Sequence, residues 1–246
     1  MSSLSGVRGG NISQTQTTMA STQGYVDGTI DFVYNGETFN TYFKRFGDLE
    51  NRKNTPLIVL HGGPGLVHNY LLPISDLATK HDIPVIFYDQ LGNGKSTHLK
   101  EKPPTFWTID LFIDELVNLI KHFKLQDGFH LLGHSWGGIL GSEFEVRRQP
   151  AGLKKLILSD SLAASSLWNQ SNGQLLSTFP DDVKKGMMGG MKDPAAFYAA
   201  LKVFHSVHGC TVKPPPEEFT YTFDQVFGPN GDPTVAGAPY VVTFLY

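Results

Sequence analysis

The chain has 246 residues, of which 40 % are hydrophobic and 17 % charged, with a formal net charge of −3. This is enough for one large globular α/β domain or two small ones with a proper core, and without a Lys/Arg cluster it makes nucleic acid and anionic membranes poor partners. The single cysteine, Cys210, excludes an internal disulfide framework and suits a reducing, cytoplasmic compartment.

Residues 1–23 are rich in Ser, Thr, Gln and Gly and lack the apolar stretch of a secretory signal, so a disordered arm is expected. No apolar run reaches membrane-spanning length. From Gly24 to Phe46, apolar and polar residues alternate about Asn35-Gly36, which predicts a β-hairpin. "PLIVLHGGPG" then reads as a short buried strand entering a glycine loop. A helical stretch is expected near Tyr70 to Lys80, and "IPVIFYDQLGNGKS" repeats the strand-then-glycine pattern. Ile109 to Phe123 places Leu111, Leu116, Ile120 and Phe123 on one helical face, with charges expected opposite. "GFHLLGHSWGGILGSEFEVRRQP" is strand, tight turn and helix, and "LKKLILSDS" is a further strand. Strands alternating with helices at this spacing predict an α/β fold with a mostly parallel sheet. Between Ser165 and Phe227 the pattern becomes helical, interrupted by "KGMMGGMKD" and "KPPPEEF".

Gly133-His134-Ser135-Trp136-Gly137 fits G-x-S-x-G in the setting it requires, between a strand and a helix. The glycines allow a turn tight enough to lift a serine hydroxyl above the sheet, and the helix N-terminus offers free N–H groups to a developing oxyanion. A glycine-rich bend with an ordinary capping serine is the plainer alternative; the flanking strand and helix favour the nucleophile elbow. His61-Gly62-Gly63-Pro64-Gly65 is the second element. An oxyanion hole of this type takes one N–H from the residue after the nucleophile and one from an earlier strand's loop. Trp136 and Gly63 are the expected donors, through their backbone. Gly62, Pro64 and Gly65 are expected to line the substrate, and His61 either does so or simply packs under the loop. Gly94-Lys95-Ser96 looks like the end of a phosphate loop, but Asp89 stands where that motif needs glycine, so it is read as a strand-to-helix turn.

"LHGGPG", "YDQLGNGKST" and "GHSWGG", in this order, resemble the proline iminopeptidase-like branch of the α/β-hydrolases, which includes prolyl aminopeptidases and L-amino-acid amidases. "FHSVHGCTVKPPPEEF" and "FGPN" resemble that family's helical cap. The resemblance implies a core at 24–161, a helical cap at 162–230 and a divergent tail at 231–246. It implies a serine aminopeptidase or amidase, acting on a small peptide or amino-acid amide with no metal or organic cofactor. An esterase with the same elbow is a rival. The family's Asp-Gln-Arg-Gly reads Asp89-Gln90-Leu91-Gly92 here, so a structural arginine is replaced, and the expected effect is a less stable local loop rather than altered chemistry. Glu217 and Glu218 are the cap carboxylates that remain to meet a substrate ammonium, or they are a solvated surface pair.

The partners of Ser135 are the difficulty. In this family the acid and then the histidine follow the serine in the chain. Each strand–helix unit takes about 30 residues, whereas 16 residues follow Asn230 and none of them is histidine. His134 lies in the elbow's own backbone, His205 and His208 lie on the cap, and the other histidines precede the nucleophile on elements already placed. Asp232 precedes a proline in a turn. The reading is therefore a core lacking its last two strand–helix units, and a catalytically inactive form or ligand-binding relative is the alternative function. It also predicts an open sheet edge at "LKKLILSDS", hence self-association.

Overall fold

The computed structural model describes residues 24–238. The N-terminal arm at 1–23 and the strand-like run in 239–246 lie outside the described residues. Strands β1 (Tyr25–Tyr34) and β2 (Glu37–Phe46) form the expected hairpin. Asn35 and Gly36 both have positive φ, 50° and 82°, as a type I′ turn requires. Among the described residues the sheet has six strands in the order β1-β2-β4-β3-β5-β6, completed by β3 (Leu57–Leu60), β4 (Val85–Tyr88), β5 (Phe129–His134) and β6 (Leu153–Ser159). β4, β3, β5 and β6 run parallel, and β2 joins them antiparallel.

β3 and β4 are buried throughout, and each serves two cores. Ile58, Leu60, Ile86 and Tyr88 face the larger cluster, while Leu57, Val59, Val85 and Phe87 face a smaller one on the other side of the sheet. Alternation is present in these strands but hidden, because both faces are apolar.

The larger core is closed by α2 (Ile109–His122) and α3 (Trp136–Arg148). Thr108 caps α2 by accepting the Leu111 N–H at 3.2 Å, and Lys121 and His122 sit at its C-terminal end. Its Leu111, Phe112, Leu116 and Leu119 are fully buried, each worth about 1.5–3 kcal/mol. Here one expectation is corrected: Glu115 is not on the solvent face but wholly buried beside Leu116. Its partners account for this, since Thr41 Oγ1 donates at 2.6 Å and the Leu91 N–H at 3.0 Å.

The smaller core is closed by α1 (Asp76–His81) and a 3-10 turn, His68–Ser75. A helix was expected over 70–80. Pro73 falls inside that stretch, and the chain takes the tighter turn before α1 begins. Gly94-Lys95-Ser96 is likewise not a strand-to-helix junction, because α2 starts only at Ile109. Among the described residues, β6 is followed by the α-helices α4 (Ser165–Ser177), α5 (Asp181–Gly189), α6 (Pro194–His208) and α7 (Glu217–Phe227). α7 packs back on the 3-10 turn.

β6 ends the sheet among the described residues. Ile157 is 43 % and Leu158 54 % exposed, so apolar side chains on both its faces meet solvent. The expected open edge is therefore present among the described residues.

Candidate active site

The C-terminal ends of β3, β4 and β5 meet at one edge of the sheet, and their loops build the site. Ser135 lies between β5 and α3 with φ 53° and ψ −119°. A serine held there is strained by about 1–3 kcal/mol and persists only when its surroundings enforce it. They do. Ser135 N–H donates to Ser159 O at 2.9 Å, and Ser161 Oγ donates to Ser135 O at 3.0 Å. A Cβ on Gly133 would fall on the Gly137 carbonyl, one on Gly137 on the Leu60 carbonyl, and one on Gly138 on Ser161 Oγ. The small residues in G-x-S-x-G and the glycine after it are thus set by backbone contact between α3, β3 and the elbow.

The glycine loop lies beside it. Gly63 and Gly65 have φ of 120° and 104°, a region that favours glycine. His61 is wholly buried and does not line a substrate space. Its Nδ1–H donates to Gly62 O at 2.9 Å, and its Nε2 accepts the Gln90 N–H at 3.0 Å. Burial lowers its pKa to about 4, so the ring is neutral at pH 7. Packing, the plainer reading of His61, is what the structure supports.

Gln90 then joins loop to elbow. Its amide N–H reaches His61 O at 3.4 Å, and its carbonyl accepts the Trp136 indole N–H at 2.9 Å. Asp89 folds the following turn, accepting from His68 Nδ1 at 2.7 Å and from the Lys95 N–H at 3.1 Å. Burial opposes ionisation of Asp89, but His68 outweighs it and holds the carboxyl below the usual range. Leu91, in the place of the family's arginine, is fully buried in the larger core, so the replacement contributes packing to this turn rather than loosening it.

Among the described residues, the N–H groups of Gly63 and Trp136 have no backbone acceptor, and no side chain hydrogen-bonds the Ser135 hydroxyl. His134 instead turns to Tyr70, whose hydroxyl meets Nδ1 at 2.7 Å, and to Asp160, 3.8 Å from Nε2. Glu217 and Glu218 are exposed in the first turn of α7, where acidic side chains suit a helix N-terminus, and no hydrogen bond or ion pair ties them to Ser135 or the glycine loop. Asp232 is buried and pairs with His98 at 2.5 Å. The segment after it covers the loops: Ala236 abuts Gly65, and Val235 abuts Gly92. Among the described residues, no three His, Cys, Asp or Glu side chains gather as a metal site.

A family model described as alpha/beta hydrolase fold matches residues 55–205. The chain belongs to the α/β-hydrolase family. Within this family it is similar to proline iminopeptidases. That of Lactobacillus delbrueckii subsp. lactis is 37 % identical over 180 residues, covering 72 % of this chain and 60 % of the relative. That of Clostridium botulinum is 38 % identical over 146 residues, covering 59 % of this chain and 48 % of the relative. This α/β-hydrolase thus spans about half to three-fifths of the length of those relatives. Among solved structures, VinJ superposes with a TM-score of 0.74 at 37 % identity, and the proline iminopeptidase of Mycobacterium smegmatis with 0.69 at 35 %. Each comparison covers 85 % of this chain and 69 % of the other. The proline iminopeptidase-like branch implied by "LHGGPG" and "GHSWGG" is the one found.

The motifs pointed to Ser135 and the glycine loop but not to Tyr70, Gln90, Ser161 or the His98–Asp232 pair. Gln90 lies inside "YDQLGNGKST", but the motif carries no sign that its side chain bridges loop and elbow. Nothing in the spacing marks the other residues.

Proposed function

We propose that this chain is a serine hydrolase of the aminopeptidase or amidase kind, acting on the N-terminal residue of a small peptide or on an amino-acid amide. Ser135 Oγ attacks the substrate carbonyl, the amine leaves, and water resolves the acyl-enzyme. The backbone N–H groups of Gly63 and Trp136 hold the oxyanion, with Gly62, Pro64 and Gly65 as the substrate-facing loop. The observation that carries this reading is the φ of 53° at Ser135, held by glycine contacts at the start of α3. The similarity to proline iminopeptidases supports the amide substrate over the ester of an esterase.

A second reading, a catalytically weak or ligand-binding form, has an observation of its own. The Ser135 hydroxyl meets no imidazole among the described residues. Losing the base of such a triad costs on the order of 10⁶ in kcat. Fluorophosphonate labelling and hydrolysis of prolyl and alanyl arylamides, each against Ser135→Ala, separate the two. Labelling confined to Ser135, with turnover no faster than that of the alanine variant, supports the elbow together with the second reading. Turnover well above that variant discards the second reading. Equal labelling of both proteins overturns the first.

Two further proposals concern setting. Among the described residues the outer edge of β6 has no strand partner, and this edge, with Ile157 and Leu158 exposed, supports self-association. The lone Cys210, free in the structure, supports a reducing compartment such as the cytoplasm. No helix among the described residues is long and apolar enough to cross a membrane.

A further inference from the structure

Tyr70 has no part in the chemistry above, yet its hydroxyl joins the two halves of the site. The oxygen accepts the Gly62 N–H at 2.8 Å. The hydroxyl proton is then free to be donated to His134 Nδ1, 2.7 Å away. In that arrangement Nδ1 is bare and the ring proton sits on Nε2, toward Asp160. The two rings meet edge-on, 5.2 Å apart.

The residues it touches are chain neighbours of those proposed to act. Gly62 precedes Gly63, the proposed loop donor, and His134 precedes Ser135. Resting on the serine-hydrolase reading, we propose that Tyr70 is a positioning residue, whose hydroxyl sets the spacing between the glycine loop and the nucleophile elbow. An oxyanion needs both donors within about 2.7–3.1 Å, although they arrive on separate strands. Gln90 ties loop to elbow from the core side, through His61 O and the Trp136 indole. One tether alone would let the glycine-rich loop pivot; Tyr70 supplies another, through different groups. The fit leaves no slack at Gly62, where a Cβ would lie 2.9 Å from the Tyr70 oxygen, 3.0 Å from His134 Nδ1 and 3.2 Å from Ser135 Cβ. Tyr70 also stands on the 3-10 turn against which α7 packs.

The test compares wild type, Tyr70→Phe, His134→Leu, the double variant and Ser135→Ala. Rates of fluorophosphonate labelling are read beside amide hydrogen exchange at Gly62. Tyr70→Phe is expected to slow Ser135 labelling by about 10- to 100-fold, the scale of a displaced oxyanion donor. Exchange at Gly62, whose N–H loses its acceptor, should accelerate, while amides of β3 and β5 keep their protection. His134→Leu should act similarly, and the double variant should be little worse than either single one, since both remove the same link. Labelling of Tyr70→Phe within twofold of wild type, or additive losses in the double variant, would overturn the proposal. If wild type labels no faster than Ser135→Ala, the hydrolase reading has failed and exchange alone decides. Unchanged Gly62 exchange in Tyr70→Phe then overturns the tether, and local acceleration supports it. If Tyr70→Phe melts early, labelling and exchange are compared at a temperature where both proteins are folded.

Discussion

Glu115 makes the stability of this protein depend on pH in a direction opposite to most carboxylates. The side chain is fully buried in α2, with hydrogen bonds from Thr41 and the Leu91 N–H. Burial raises its pKa from 4.5 to about 7, against those bonds, and nearby Asp89 adds to the rise. Between these values the folded state binds a proton that the unfolded state has released. Its stabilising contribution is therefore complete below about pH 4.5 and lost as pH rises through 7. At 1.36 kcal/mol per pKa unit, the loss is about 3 kcal/mol.

Glu115→Gln keeps the shape and an acceptor but cannot ionise. Its stability relative to wild type should improve by about 3 kcal/mol between pH 4 and pH 9, and other titrating groups cancel in that difference. For a domain of this size the same change is about 6–12 °C in relative Tm. Urea unfolding of both proteins at the two pH values measures it. A relative stability constant to within 0.5 kcal/mol would falsify the reasoning, by showing that Glu115 ionises in the folded protein as readily as in the unfolded chain.

Further outcomes follow from contacts. Gly137→Ala puts a methyl group on the Leu60 carbonyl in the middle of the sheet, where neither side can yield. It should cost about 3 kcal/mol, seen as a Tm lower by about 6–12 °C, and should also slow Ser135 labelling. His98→Ala removes a partner of the buried Asp232, which burial pushes up but Thr234 and His98 hold below its ordinary pKa. Exchange should rise selectively over residues 232–238. The depressed pKa makes this contribution present above pH 4 and lost on acidification. Leu158→Lys places a charge on the exposed end of β6; if that edge associates, sedimentation should shift toward monomer with little change in Tm.

The order of elements was readable because the glycine loops punctuate it. Asn35-Gly36 and the run before Ser135 announce their turns through residue types that few other conformations need. The burial of Glu115 could not be read in the same way. On a helical wheel it is a charge, and only the approach of Leu91 and Thr41 makes its position polar. Leu91 shows the same limit from the other side. Its difference from the family's arginine suggests a weakened turn, whereas its side chain fills the core and its N–H satisfies Glu115.

Ser135 and Asp232 mark the boundary between what local chemistry reveals and what it conceals. The elbow is legible because Gly133, Ser135 and Gly137 are close in sequence, although only Gly133 is demanded by the elbow's own backbone and Gly137 by the Leu60 carbonyl of β3. Asp232 also has a local bond pattern, accepting from the Thr234 N–H and hydroxyl as an Asx turn does, so it reads as an ordinary turn residue. Its burial depends on His98, 134 positions away, and on Val235 and Ala236 filling the space above Gly92 and Gly65. Those glycines lack side chains for another reason, their positive φ, and the segment uses the room they leave. A turn at the end of the described residues is thereby packed against the loop that carries Gly63. Changes at Asp232 should consequently be felt at the site through Gly65, without any contact to Ser135.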